Sequence, residues 1–121
     1  MLLNNFYTID RFVAGEGKIS AELTINAGHH IFEGHFPGQP VTPGVCMLQM
    51  VKELLEKETG KSSQLKKADE MKFLAIIDPQ RDPNIVAEIS YTINEDILQA
   101  TAIFTNNAST SFKFKGSFVQ V

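Results

Sequence analysis

The chain has little of what marks a secreted or membrane protein. Cys46 is the only cysteine among 121 residues, so no intrachain disulfide can form and the sequence is compatible with a reducing compartment. No apolar run approaches the roughly 18 residues that a membrane span requires. The opening residues 1–5 lack the basic and apolar regions of a signal peptide. We therefore expect a cytoplasmic protein that does not contact a membrane.

The chain also lacks an excess of positive charge. It has 11 basic and 14 acidic residues, for a formal net charge of −3. Phosphate binding needs a concentrated basic surface, so we expect no nucleic-acid partner. His29 and His30 are adjacent, but no Cys, Asp or Glu cluster with ligand spacing accompanies them. We therefore expect no metal and no cofactor.

The N-terminal half predicts a hairpin, an irregular loop and one helix. Residues 6–13 and the alternating apolar positions of residues 19–25 form two strands around a turn at residues 15–17. Residues 27–42 are rich in Gly, Pro and His and predict a loop. Thr42 is the expected N-cap and Pro43 the first helical residue. The helix should end before Gly60, and its broad apolar face predicts burial, with Cys46 as a small buried residue.

The C-terminal half predicts a long antiparallel sheet. Residues 56–67 are polar and predict a connection. Apolar residues then alternate in four segments, over residues 71–77, 85–91, 98–104 and 112–114. The order is two strands, one helix and four strands in a single domain, residues 1–121. This is an α+β architecture in which the sheet wraps around one central helix.

The most informative segment is residues 34–45, GHFPGQPVTPGV. Prolines restrict the backbone around His35, and the segment runs directly into a helix N-terminus. The first-turn amides of a helix have no intrahelical acceptor, so the N–H of Gly44 can face a ligand. A histidine beside such an amide suits proton abstraction next to a carbonyl. The alternative is a structural histidine in a proline-rich entry to the helix.

This segment, between a hairpin and a central helix, resembles the active-site segment of β-hydroxyacyl-carrier-protein dehydratases of the FabZ and FabA type. Residues 69–73, DEMKF, resemble the start of that family's third strand more loosely. The resemblance implies a hotdog fold and a dimer whose two sheets join edge to edge. It also implies that His35 is the catalytic base, that Gly44 N–H holds the thioester carbonyl, and that Phe36 and Val45 contribute to substrate binding.

One position departs from the family pattern. The family's catalytic acid lies fourteen positions after the histidine and reaches the site of the partner protomer, and here that position is Gln49. A carboxamide can hydrogen-bond a leaving hydroxyl but cannot serve as an acid at neutral pH. The dehydratases carry a glutamine one turn beyond their acid, whereas here Glu53 follows Gln49 at i+4. Glu53 either supplies the missing acid or is a solvated residue on the polar end of the helix.

Three functions follow from these residues. The first is dehydration of a 3-hydroxyacyl thioester to the trans-2-enoyl thioester by His35, Gly44 and Gln49 or Glu53, in fatty acid or polyketide biosynthesis. The second is a catalytically degraded hotdog subunit that binds an acyl group or completes a heterodimer with an acid-bearing partner. The third is an acyl thioesterase on the same fold. The expected partners are an acyl-carrier protein or coenzyme A thioester and a second hotdog chain.

Overall fold

The predicted order of two strands, one helix and four strands is confirmed. A computed structural model describes residues 1–33 and 41–121. Its elements are β1 (Tyr7–Gly15), β2 (Lys18–Ile25), a 3₁₀ turn (His30–Phe32), α1 (Gly44–Thr59), β3 (Ser63–Phe73), β4 (Asn84–Asn94), β5 (Ile97–Asn106) and β6 (Ser109–Gln120). In the part of the chain that is described, no helix is long and apolar enough to cross a membrane.

The strands form one antiparallel sheet in the order β1-β2-β4-β5-β6-β3. Side chains alternate across a strand, so one face of β2 carries four buried apolar residues, Ile19, Ala21, Leu23 and Ile25. The equivalent faces of β4, β5 and β6 join them in one core with six buried residues of α1, which are Cys46, Met47, Met50, Val51, Leu54 and Leu55. The fold is thus the α+β hotdog arrangement, with the sheet packed around the helix.

The start of α1 differs from the prediction by one residue. Pro43, not Thr42, is the N-cap, and no side-chain hydrogen bond caps the helix. Thr42 is instead buried, at 3% exposure. At the other end, Gly60 adopts a left-handed conformation (φ 72°), and its N–H donates to the carbonyl oxygen of Glu56. Glycine favours this C-terminal geometry because it has no Cβ.

The third strand differs more. As predicted, α1 ends before Gly60, at Thr59. The predicted connection over residues 56–67 is too long and the predicted strand over residues 71–77 is displaced, because β3 begins at Ser63 and ends at Phe73. The alternating residues Met71, Phe73 and Ala75 are all exposed. Met71 and Phe73 nevertheless lie on the core face of the sheet, because they pair with the buried Phe114 and Phe112 of β6. They are exposed because β3 is an edge strand, which the apolar pattern does not show.

Exposed apolar side chains concentrate at this edge of the sheet. The strand β3 and the segment directly after it carry five of them, Leu65, Met71, Phe73, Leu74 and Ile76, each between 42% and 71% exposed. At the opposite edge, β1 has one large exposed hydrophobic residue, Val13. An unpaired edge strand offers a row of backbone hydrogen-bonding groups to another chain. The apolar side chains make the β3 edge the better candidate for that contact.

We expect a dimer that forms through β3. Met71→Asp should weaken it at least tenfold because a carboxylate at a dry contact loses hydration without gaining a partner. The matched change Val13→Asp, on the opposite edge, should leave the dimer intact. Light scattering across a concentration series measures both. A native chain that is a folded monomer at micromolar concentration would remove the basis for an active site shared between protomers.

Candidate active site

The candidate site lies where α1 begins. Two residues assigned to it by the resemblance, His35 and Phe36, lie outside the described residues. Gly44 is the first residue of α1, and Val45 follows it. The amides of Cys46 and Met47 donate to the carbonyl oxygen of Pro43, over 3.0 and 3.4 Å. The amides of Gly44 and Val45, which precede them, are the first-turn donors without an intrahelical acceptor.

Close packing explains the glycine at position 44. A Cβ placed on Gly44 would lie 2.5 Å from two ring carbons of Phe73. The Phe73 ring is held by stacking on Phe112, with 5.2 Å between ring centroids. Any larger residue at position 44 would therefore displace the Phe73 ring. The Val45 side chain is 73% exposed.

A cavity of about 360 Å³ opens beside this glycine. It lies between the start of α1 and the segment that follows β3, and its walls are formed by Val41, Thr42, Pro43, Gly44, Met47, Phe73, Leu74, Ala75, Ile76 and Ile77. The wall residues are all uncharged, and most are apolar. Such a cavity suits the uncharged part of a ligand, with a few polar groups fixing its orientation.

The second group of predicted site residues lies further along α1, five and nine residues after Gly44. The Gln49 side-chain amide Nε2 donates to Oε2 of Glu53 over 2.8 Å. Glu53 is 3% exposed, so the interpretation of Glu53 as a solvated residue is wrong. Its carboxylate also accepts the backbone amides of Leu2 (2.8 Å) and Leu3 (2.9 Å) and the hydroxyl of Tyr7 (3.2 Å). Each carboxylate oxygen thus accepts two hydrogen bonds.

Tyr7 belongs to this network. It is 1% exposed, and burial, followed by the charge of Glu53 and the hydrogen bond to it, raises the pKa of its phenol far above the ordinary value of 10.0. The phenol is therefore a permanent donor to Glu53 at physiological pH. The sequence reasoning missed this contact. A signal for it was present, because a carboxylate within an apolar helix stretch needs buried donors.

The remaining titratable candidates carry structural roles. Cys46 is buried, as predicted, and burial raises the pKa of its thiol, which disfavours the reactive thiolate. The rings of His29 and His30 stack at 4.3 Å, and Nδ1 of His29 accepts the amide of Ile31. Over residues 1–33 and 41–121, no three His, Cys, Asp or Glu side chains are arranged to hold a metal ion.

The sheet wrapped on one helix and the cavity at the helix start define a hotdog-fold protein, and solved structures share this fold. The dehydratase heterocomplex ApeI:P from Xenorhabdus doucetiae aligns with a TM-score of 0.78 and 18% identity, over 92% of this chain and 96% of that one. A hypothetical thioesterase protein from Streptococcus pneumoniae, solved with coenzyme A, aligns with a TM-score of 0.67 and 10% identity, over 98% and 91%.

Among hotdog-fold proteins, the sequence identifies one particular family. The family described as ApeI-like, ApeI dehydratase, matches residues 12–115. The chain belongs to the ApeI-like dehydratase family. Among curated proteins, it is 33% identical over 79 residues to the 3-hydroxyacyl-[acyl-carrier-protein] dehydratase FabZ of Lactobacillus helveticus, a match that covers 59% of this chain and 52% of that protein. The chain spans about half the length of the curated relatives it matches.

The Tyr7–Glu53 contact predicts how stability changes in alkali. The unfolded chain loses the Tyr7 proton near pH 10, whereas the folded chain retains it, so stability is complete below pH 10 and falls as pH rises above it. The fall should reach about 1.4 kcal/mol per pH unit. Tyr7→Phe should remove most of this dependence and cost about 1 kcal/mol at neutral pH for the lost hydrogen bond.

Tyr91 is the matched control because it is the only other tyrosine. Burial and, to a smaller extent, Glu58 also raise its pKa, but its side chain is only partly buried. Tyr91→Phe should therefore remove less of the alkaline dependence than Tyr7→Phe. Urea denaturation between pH 8 and 11 measures the difference. If the free energy of unfolding falls with pH as steeply in Tyr7→Phe as in the native chain, Tyr7 is not the source of the alkaline dependence.

Proposed function

We propose that the chain is a dehydratase that converts a 3-hydroxyacyl thioester to the trans-2-enoyl thioester. His35 removes the C2 proton, the Gly44 N–H hydrogen-bonds the thioester oxygen as negative charge develops there, and the C3 hydroxyl leaves as water. The observation that supports this most is the position of Gly44. It is the first residue of α1 and borders an uncharged cavity, in a chain of the ApeI-like dehydratase family.

Gln49 attends the leaving hydroxyl in this proposal, and Glu53 is a positioning residue. Because Glu53 Oε2 binds one hydrogen of the Gln49 amide, the second hydrogen and the carbonyl oxygen of that amide remain for the substrate. Four donors already bind the Glu53 carboxylate, so it serves as an acceptor and not as the proton donor. The proton on the leaving hydroxyl then comes from water or from the imidazolium of His35.

A heterodimer subunit is the second candidate, and the absence of a free carboxyl group at Gln49 favours it. In the dimer that the resemblance implies, each site combines the histidine of one protomer with the acid of the other. Paired with an acid-bearing hotdog chain, this protomer would supply His35 and Gly44 to one complete site. Its Gln49 would face the partner's histidine. The similar solved structure from Xenorhabdus doucetiae is a heterocomplex by its description, which is consistent with this arrangement.

The substrate carrier is proposed as a phosphopantetheine thioester, on acyl-carrier protein or coenzyme A. The curated relatives are named for acyl-carrier-protein substrates, and the similar thioesterase from Streptococcus pneumoniae was solved with coenzyme A. Both carriers present the same thioester and the same pantetheine arm. The uncharged cavity at Gly44 suits the acyl end, which the two carriers share.

His35→Ala should abolish dehydration while leaving the thermal unfolding curve unchanged, because the prolines around His35 restrict the backbone whether or not the imidazole is present. The expected loss is roughly 10² to 10⁴ in rate, the usual contribution of a positioned base. Enoyl formation from 3-hydroxyacyl-carrier protein measures it, with circular dichroism as the folding control. Full activity in the variant would refute the role of His35.

Exchanging the two helix residues restores the family's order of acid and amide. Gln49→Glu combined with Glu53→Gln keeps a hydrogen bond between the two positions but places the carboxyl group fourteen residues after His35. Turnover should rise by about tenfold or more because a proton donor is restored. Gln49→Glu alone places two carboxyl groups in contact, so one of them should hold a proton near neutral pH. Gln49→Glu should also raise turnover. Its fold should become less stable as pH increases, because both carboxyl groups then lose their protons and repel each other.

Glu53→Gln alone distinguishes a positioning role of Glu53 from a role as the catalytic acid. Loss of the charged acceptor should destabilise the fold by about 1.5–3 kcal/mol, measured by urea unfolding. Activity should fall only a few-fold, whereas the loss of a general acid would cost 10² or more. If the native and exchanged chains are both inactive but mixing the native chain with an acid-bearing hotdog protein gives turnover, the heterodimer function is correct and the self-sufficient enzyme is not.

A further inference from the structure

The hydroxyl of Thr42 is buried without a hydrogen-bond partner. Thr42 is 3% exposed, and its Oγ1 is one of two buried side-chain atoms without a partner in the described part of the chain. The helix cap that the sequence suggested for it does not form, because Pro43 occupies that position. A buried hydroxyl without a partner destabilises a fold, and native structures keep few of them. This hydroxyl therefore calls for a functional explanation.

The residue lies beside the proposed substrate. Thr42 and Gly44, two residues apart, both line the uncharged cavity at the start of α1. The Thr42 amide donates to the carbonyl oxygen of Ile77 over 2.9 Å, and Ile77 is itself buried and also lines the cavity. This bond holds the Thr42 backbone in place, two residues before the Gly44 amide.

The uncharged walls of the cavity limit which chemical groups could bind beside the Thr42 hydroxyl. The wall residues carry no charge, so a phosphate or carboxylate would enter at a high desolvation cost. A threonine hydroxyl has one hydrogen to donate, and the neighbouring Gly44 amide is also a donor. Two donors at one end of an apolar cavity match a carbonyl oxygen, which can accept two hydrogen bonds.

We propose that Thr42 Oγ1 is a substrate-binding donor that hydrogen-bonds the carbonyl oxygen of the acyl thioester together with the Gly44 N–H. This inference rests on the proposed function and names a residue that the sequence pattern assigned only to helix capping. The hydroxyl gains its missing partner when substrate binds. As the C2 proton leaves, charge grows on the same oxygen, and the second donor stabilises it.

Two substitutions separate a binding role from a structural one. Thr42→Val keeps the shape and removes the hydroxyl, so the unliganded variant should melt about 2–6 °C higher than the native chain. Its kcat/KM for dehydration should nevertheless fall about tenfold or more. Thr42→Ser keeps the hydroxyl and should retain most of the activity. Thr101→Val, on an exposed part of β5 away from the cavity, is the matched control and should change neither quantity.

Binding measurements identify the atom that Thr42 meets. In a His35→Ala background, which prevents turnover, calorimetry would compare 3-hydroxyacyl-coenzyme A thioesters of four to ten carbons with thioethers that lack the carbonyl oxygen. Thr42→Val should weaken the tightest thioester about five- to tenfold and leave the matching thioether unchanged. Equal weakening of both ligands, or of neither, would overturn the proposal.

Different results would refute the role of Thr42 and the proposed function. If the native chain dehydrates a thioester but Thr42→Val has native kcat/KM together with a higher melting temperature, Thr42 is only a buried hydroxyl and the proposed function stands. If the native chain neither binds nor converts any thioester, alone or with a second hotdog chain, both the proposed function and the role of Thr42 are refuted.

Discussion

The fold depends on burying a carboxylate within the apolar face of the long helix α1. Glu53 sits among the buried residues of α1, and placing a charged group there without donors would cost more than the marginal stability of a small domain allows. Four donors meet it, and two of them are the backbone amides of Leu2 and Leu3. The N-terminal segment is thereby held against the helix.

The same carboxylate connects the core to the candidate chemistry. By accepting one hydrogen of the Gln49 amide, Glu53 leaves the second hydrogen and the carbonyl oxygen of that amide available. Toward the start of the helix, Gly44 and Thr42 border the uncharged cavity. In the proposed function, one rigid helix carries both the donors for the thioester carbonyl and the amide that attends the leaving hydroxyl, so their spacing is constant.

Much of the fold follows from the periodicity of apolar residues. The alternation over Ile19–Ile25 predicted a strand with one buried face, and the helical spacing from Val45 to Leu55 predicted a buried helix, because burial of a continuous face imposes the period. The strand β3 could not be predicted in the same way. It is an edge strand, so Met71 and Phe73 are exposed even though they pair with the buried Phe114 and Phe112. The apolar pattern cannot report which strand lies at an edge.

The order of elements, the helix after the GHFPG segment and the unusual amide at position 49 are all readable in the printed residues. Those features depend on local spacing and on residue types that chemistry restricts. Two other features require the folded chain. Glu53 is buried beneath Leu2, Leu3 and Tyr7, about fifty residues away along the chain, and Thr42 lines a cavity instead of capping a helix. Local spacing cannot report either fact, because a long-range contact determines whether a polar side chain meets water, a buried donor or a ligand.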